Sequence, residues 1–534
     1  MPGDTPAESR ENRPPRSLQP PPCRPDPTAP AGSTRQGVFR VAAPTCDRSH
    51  PQEHRHSNRA NARVTHASIA AMRCLVWVFL GAGCGSVTGN QLPDGPPGDG
   101  APAQPGTLRW VRSLSSMEAL GVADGAGGLV VTGSIFAPAN LGGAQLTPTG
   151  MADLVVAGFN ADDASHLYSV RYGDAGQAYG FLHHVDANGA PIVYGVSYGS
   201  VDLGMGKVAG GSPGNANPPA DGYIGRYGPA APGWVMRIVG TGEDKILATA
   251  PAGGSSIYGA GWFENTPTFN GAMLSSAGNR DLFLARFNTF TGAVDLTKTY
   301  GGVGRDEISA AAAAGADLIV TGMFGDVAGV PQDVLDFKGT SKPLTSNGGL
   351  DVWVARLDAS GNGIWAVRYG GSGDDRDPRV AVDPAGDVYI TGSFTNQVAF
   401  GAINLVAMGD TDVFVAKLRG TDGSVAWAIS RGTAMTDRGG DIAVDAAGHV
   451  VFGASLNGTP TAAGDALIES LDASNGSSRW SKTVATSGAD SASTMTYGRN
   501  GDVYAIVNLG GAFDFGAPIL GAPGPSAVLL RIAP

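Results

Sequence analysis

Five aspartates, Asp244, Asp306, Asp375, Asp437 and Asp490, fall at comparable points in the segments GTGEDK, GVGRDE, GSGDDR, TAMTDR and TSGADS. Carboxylates recurring in this way can do one of two things. Gathered on one face, they form an acidic ring able to bind cations or sugar hydroxyls. Taken one at a time, each holds its own turn together by accepting backbone N–H bonds, as Asp does beside glycine. A second series, Asp281, Asp351 and Asp412, is followed five residues on by Arg286, Arg356 and Lys417. Because it recurs, it reads as a charge or hydrogen-bond device of the repeating unit.

Some candidates do not recur. His183 and His184 are adjacent, with His166 the nearest further histidine. On a strand, neighbours point to opposite faces, so the pair does not easily chelate one metal. A packed or channel-lining role is expected instead. Asp326, Asp333, Asp336 and Lys338 crowd one loop. Two carboxylates converging there across a cleft, about 5–10 Å apart, would suit a hydrolase or lyase acting on polysaccharide; the other reading is a solvated loop. Asp162 and Asp163 lack EF-hand spacing. There is no H-E-x-x-H, G-x-S-x-G or G-x-x-x-x-G-K-S/T motif. No catalytic residue, cofactor or metal is assigned.

These residues hang on a repeat. From about residue 108 to the C-terminus the chain reads as seven copies of a unit of about sixty residues. A mid-strand glycine marks six of them, as Gly133, Gly195, Gly259, Gly322, Gly392 and Gly453, with Ile506 in the seventh. Glycine weakens a strand, so its recurrence points to a bend or a close backbone approach. Each copy offers a short first strand of small residues (RVAVD), a Gly turn, an alternating second strand (VYITGSF), a long loop, a third strand (DVFVAKL), and a fourth. The fourth carries a bulky residue at its start: Tyr168, Trp234, Leu296, Trp365, Trp427 and Trp480. Four antiparallel strands per repeat make one propeller blade. The seventh copy ends after its third strand, AVLLRIAP. The missing fourth is expected in LRWVRSL (108–114), with Trp110 in the matching place. The expected fold is therefore an all-β, seven-bladed propeller of four-stranded antiparallel blades, closed by the N-terminal strand. Such closure leaves no open edge.

The segments AVDPAGDVYITGSF, DVFVAKL, LDASGNGIWAVRYGG and GSGDD resemble the bacterial β-propeller repeats known as SBBP repeats. The resemblance implies the fold and carries no common catalytic function.

Composition sets the remaining bounds. Gly is 81 of 534 residues and charged residues only 16%, as suits an extracytoplasmic β protein. Residues 1–71 hold 10 Arg and no Lys against 6 acidic residues (+4); the remainder holds 26 Lys and Arg against 41 acidic residues (−15). A body that acidic repels a phosphate backbone, so nucleic acid is not an expected partner. The cysteines, Cys23, Cys46, Cys74 and Cys84, all precede the repeats. Residues 1–71 are Pro-, Arg- and His-rich and read as disordered or as an upstream extension. Residues 72–84, MRCLVWVFLGAGC, suit a signal peptide whose end resembles a lipoprotein signal, with Cys84 as the lipidated residue. Residues 85–107 read as a Gly/Pro tether and 108–534 as the propeller.

The expectation for function is an exported, lipid-anchored monomer of the cell envelope, outer-membrane-anchored or secreted. It would meet the membrane only through its lipid and bind a protein or a glycan without catalysis. The binding face would be the one carrying the long loops between second and third strands, about 10 residues in the sixth unit and more than 20 in the second and fourth. The polysaccharide hydrolase or lyase on that face and a purely structural envelope or adhesion component are the alternatives.

Overall fold

The computed structural model describes residues 90–91, 104–210, 218–325, 333–457, 464–513 and 526–534. They form seven four-stranded antiparallel blades around a central axis. Blades one to six take residues 117–172, 177–239, 244–300, 305–369, 375–431 and 438–484. Blade seven joins Ser491–Tyr497, Val503–Leu509 and Ser526–Ile532 to the N-terminal strand Leu108–Ser115. Val111 lies opposite Leu530 and Leu114 opposite Ala527, so the expected closure is present. Other blades turn directly from third to fourth strand. Here Gly106 N donates to Ala533 O at 2.9 Å and Ala533 N to Thr107 O at 2.8 Å, so two distant segments imitate that turn. Two residues of the segment read as a tether, Asn90–Gln91, also pair, outside Val111 and Trp110.

The strand types follow from their place. Second and third strands are covered on both faces by neighbouring blades, and VYITGSF and DVFVAKL are buried almost throughout. First strands crowd the axis, where only short side chains fit in number, hence runs such as Ala310–Ala314. Fourth strands lie outermost, and their bulky residues strap one blade to the next. Trp234 Nε1 donates to Thr289 O at 2.9 Å, Trp365 Nε1 to Gly420 O at 2.9 Å, and Trp427 Nε1 to Ala473 O at 3.0 Å, each across a blade boundary. Each indole rests on a turn glycine at positive φ: Gly292 (72°), Gly423 (73°) and Gly476 (74°). A side chain there would be strained and would strike the ring. Trp480 rests in the same way on Gly106. Tyr168 departs from the pattern and lies against Gly158 of its own blade, and Leu296 is only partly buried, with Tyr300 donating instead to Gly361 O.

The recurring strand glycine has a physical cause. In all seven blades the first strand is bulged against the second. In blades one, two and four the bulge drives a carbonyl into the space a Cβ would take: Glu118 O would lie 2.0 Å from one on Gly133, Tyr179 O 1.9 Å from one on Gly195, and Glu307 O 1.7 Å from one on Gly322. Gly392 instead faces the Phe414 ring, and Gly453 faces Ala492 O of the next blade. In blade three the residue so placed is Gly261, at 1.8 Å from Lys245 O, and not Gly259, whose added Cβ would meet the Phe287 ring at 2.9 Å. Blade three has glycine at both positions, and the repeat pattern alone selects the wrong one.

The long loops are less free than their sequences suggest. Each of five carries a buried apolar anchor, Leu141, Leu203, Phe269, Phe337 or Phe400, all at most 4% exposed. The anchors lean on the preceding blade: Phe337 packs 5.3 Å from Tyr300, Phe400 packs 4.8 Å from Tyr369, and Phe269 pairs with Ile238.

Two outcomes follow. Gly322→Ala, forced against a carbonyl, is expected to cost about 2 kcal/mol or more, whereas Gly127→Ala, with nothing within 4 Å, stays within about 0.5 kcal/mol of wild type in chemical denaturation. Deleting residues 108–115 is expected to yield aggregated protein, seen by size-exclusion chromatography, because blade seven then exposes an edge and one apolar face; deleting 1–71 causes no aggregation and leaves the melting temperature unchanged.

Candidate functional site

In each blade the chain enters the first strand from the same face that carries the second-to-third-strand loops. Both aspartate series lie there. Asp244, Asp306, Asp375, Asp437 and Asp490 are buried, at most 1% exposed, and spread one per blade over blades three to seven. Four accept the N–H four residues earlier: Gly302 to Asp306 at 2.7 Å, Gly371 to Asp375 at 3.0 Å, Thr433 to Asp437 at 2.5 Å, and Thr486 to Asp490 at 2.6 Å. Asp244 accepts from Glu264 N at 3.2 Å. The carboxylates point into their turns.

The third-strand series uses the same clamp, with Ala277 N on Asp281 at 2.9 Å, Met408 N on Asp412 at 3.0 Å, and Asn347 N on Asp351. The basic residues five positions on do not pair with these aspartates, since five strand residues span roughly 17 Å. Arg286 pairs with Asp295 at 2.8 Å, Arg356 with Asp317 at 2.7 Å, and Lys417 with Asp387 at 2.9 Å. Asp351 finds Arg368 instead, at 3.0 Å.

Desolvation is the main cause that pushes Asp244, Asp306, Asp375 and Asp490 up in the first series, and Asp281, Asp351 and Asp412 in the second. Asp244 and Asp375 rise to about 8 and Asp351 to about 6, with neighbouring carboxylates adding to the rise in Asp244 and Asp375. A raised carboxyl keeps its proton in the folded chain after the unfolded chain has lost it near pH 3.9. Stability from these groups is therefore full below about pH 4 and falls as pH rises toward 8.

Other expected residues separate. Asp333 is buried and accepts from Gly304 N at 2.9 Å, whereas Asp336 sits in an exposed turn with Lys338 Nζ at 2.7 Å. They do not face each other across a cleft. Asp326 and Cys84 lie outside the described residues. His166 belongs to the outer strand of blade one, where it contacts Ser169 at 3.1 Å.

The concave feature that no repeat announced is on the axis. A cavity of about 450 Å³ lies at the long-loop end of the channel. The bulges build it. Each bulge skips a residue in the pairing register, and the skipped residue turns to the axis. In blades one to three these are Leu120, His183 and Leu247; in blades four to seven they include Ser309, Asp377, Asp441 and Ser493. Every blade thus gives the cavity one bulge residue, and the seven are of four types: two leucines, two serines, two aspartates and one histidine. The bulge also explains why His183 and His184 both reach the channel, against the expected alternation.

His183 and Asp441 meet across the channel, His183 Nε2 lying 3.8 Å from Asp441 Oδ2, and separate the upper cavity from a lower one of about 280 Å³. His183 Nδ1 contacts Tyr194 Oη at 3.1 Å, and His184 Nε2 contacts Thr249 O at 3.1 Å. Burial lowers both imidazoles, His184 to about 4, so both are neutral near pH 7. Asp441 is held by Met495 N at 3.1 Å and Thr494 Oγ1 at 3.2 Å.

The upper wall carries four cations, Lys245, Arg280, Arg305 and Arg379, beside the carboxyls of Glu307, Asp377 and Asp441. Arg280 lies 4.0 Å over the Trp262 ring and is fully engaged by Glu243, Glu264 and Glu307. Arg305 Nε is bound to Glu307 at 2.6 Å. Arg379 lines the same cavity and touches only backbone oxygens, Ser309 O and Pro378 O, both at 3.3 Å. One signal for this site was present in the sequence: at the bulge the blades stop resembling one another.

No protein-family model and no curated protein matches the chain. Among solved structures, the quinohemoprotein alcohol dehydrogenase of Comamonas testosteroni is 11% identical, with 79% of this chain and 76% of that one covered and a TM-score of 0.39. The Pan2 WD40 domain of Neurospora crassa is 10% identical over 78% of this chain and 90% of that one, also at 0.39. A NanB sialidase variant of Streptococcus pneumoniae is 9% identical over 80% and 70%, at 0.34. At such identities the likeness extends to the fold and no further.

The titration of the clamps is testable. The melting temperature is expected to fall between pH 5 and pH 8, and Asp375→Asn, which keeps an acceptor for Gly371 N without a charge, to flatten that slope in a pH series of thermal melts. A slope unchanged by the substitution would show that the carboxyl ionises normally.

Proposed function

We propose that the chain is an exported, non-catalytic binding propeller of the cell envelope, built of SBBP-type repeats and anchored through a lipid on Cys84. Its partner is a glycan or a protein bearing matching chemistry. The observation that carries the reading is the axial cavity: seven bulge residues that are apolar, hydroxylic, acidic or imidazole by turns, on a frame whose other recurring residues do structural work. A scaffold that repeats its frame and varies one position per blade is suited to recognition.

The anchored long loops favour the axis over the loop tips as the recognition element. A cavity of about 450 Å³ lies within the ordinary range for small-ligand sites and accommodates one or two units of a longer oligosaccharide or a few side chains. The acidic exterior argues against nucleic acid.

Immobilised protein probed against glycan arrays and envelope extracts is expected to capture a partner, and Leu120→Trp, which fills the cavity, to abolish the capture without changing the melting temperature. Capture that survives Leu120→Trp would move the site elsewhere. Cys84→Ser is expected to shift the protein from the membrane to the soluble fraction on cell fractionation; an unchanged distribution would remove the lipid anchor.

A further inference from the structure

We infer that the axial cavity recognises a carboxylate-bearing sugar, with Arg379 as the group that binds the carboxylate. The inference rests on the binding reading above and specifies its ligand.

Among the described residues, the four cations at the cavity differ in what they have left to offer. Arg280 is spent: Nε, Nη1 and Nη2 each meet a different glutamate, and its plane covers Trp262. Lys245 is shared between Glu243, at 3.5 Å, and the same indole, at 4.9 Å. Arg305 commits Nε to Glu307. Arg379 makes no carboxylate ion pair; its Nη1 meets two backbone oxygens, and the rest of its fork is open. A guanidinium with an open fork in a recessed site matches a carboxylate in geometry as well as charge, which an ammonium does not.

The remaining wall suits the rest of a sugar acid. Asp377 offers a carboxylate acceptor from the bulge of blade five, next to Arg379 in that bulge. Ser309 and Ser493 offer hydroxyls from neighbouring bulges. Leu120 and Phe181 present apolar surface on the arc of blades one and two, where the C–H face of a pyranose would lie. A simple carboxylate would use Arg379 alone, and a neutral sugar would leave it unpaired in a recessed site, which disfavours the neutral ligand.

The test is isothermal titration calorimetry of the full chain with a galacturonic acid trimer, a galactose trimer and sodium acetate at matched ionic strength. The acidic trimer is expected to bind at least ten-fold more tightly than the neutral trimer and than acetate. Arg379→Gln is expected to remove that preference, with an unchanged melting temperature, while Arg379→Lys recovers only part of it. Equal binding of the two trimers, binding of acetate as tight as the acidic trimer, no binding of the acidic trimer, or an Arg379→Gln variant that behaves as wild type would each overturn the inference. If the acidic trimer fails while arrays or extracts still yield a partner lost in Leu120→Trp, the binding reading stands without this ligand; if nothing is captured, both fall.

Discussion

Blade seven draws its strands from the two ends of the repeat region, and every first strand keeps both of its neighbours around the axis only because that assembly holds. Joining segments separated by roughly 400 residues costs about 5 kcal/mol of chain entropy, growing only with the logarithm of length. The seam is built to exceed this. Trp110, Leu114, Ile506 and Leu529 are buried against Val131, Val155 and Phe159 of blade one, at about 2 kcal/mol for each large side chain. Trp110 Nε1 and Tyr504 Oη both donate to Ala161 O, at 3.3 and 3.2 Å, and Arg531 Nη1 joins them at 3.1 Å. Asn508 Nδ2 reaches Ala119 O at 2.9 Å, and Asn508 Oδ1 accepts from Ala119 N at 3.0 Å. No other blade boundary concentrates so many polar straps on one carbonyl among the described residues, and none other must bring together segments so far apart in the chain.

Once the ring is closed, recurrence and non-recurrence separate two kinds of work. The buried aspartates, the outer tryptophans and the strand glycines recur because every blade poses the same local problem. A turn has N–H groups to satisfy, a boundary has to be strapped, and a bulged strand has to approach its neighbour. The bulge itself is common to all blades, but the residue it turns to the axis is not constrained by packing within the blade. That position was free to differ, and it holds four residue types over the seven blades. Burying the clamping aspartates has a cost visible in their raised proton affinities, accepted because each satisfies a turn that would otherwise be left open.

The frame was largely legible in the sequence. The repeat period, the Gly turns and the displaced strand LRWVRSL are local or periodic signals, and they led to the blade count, the strand order and the closure. The aspartate clamps were legible as one of two readings, because a carboxylate four residues after a turn N–H is a local geometry. Three features were not. Gly261 was hidden by a second glycine two residues earlier. The loop anchors Leu141, Leu203, Phe269, Phe337 and Phe400 sit in segments whose lengths differ, so no fixed spacing exposed them. The cavity was hidden most deeply, because a two-against-one register leaves no compositional mark, and because alternation along a strand, the rule applied to His183 and His184, fails at a bulge. Its walls come from residues as distant as Leu120 and Ser493, brought together by ring closure alone.

The cavity is also uneven around its rim. Its formal charges come from blades three to six: Lys245, Arg280, Arg305, Glu307, Asp377, Arg379 and Asp441. Blades one, two and seven supply Leu120, Phe181, neutral His183, Tyr194 and Ser493. Because glutamates engage Arg280 and Arg305, the rim arginine left without a carboxylate partner is Arg379 in blade five. A recessed, partly desolvated site strengthens the Arg379 charge relative to one at the surface. An occupant with one charged edge and one apolar face would therefore be held in one orientation, its charge toward blade five and its apolar face toward blades one and two. The ring closes with near seven-fold regularity in its backbone, but the recognition surface it encloses has a single polarity.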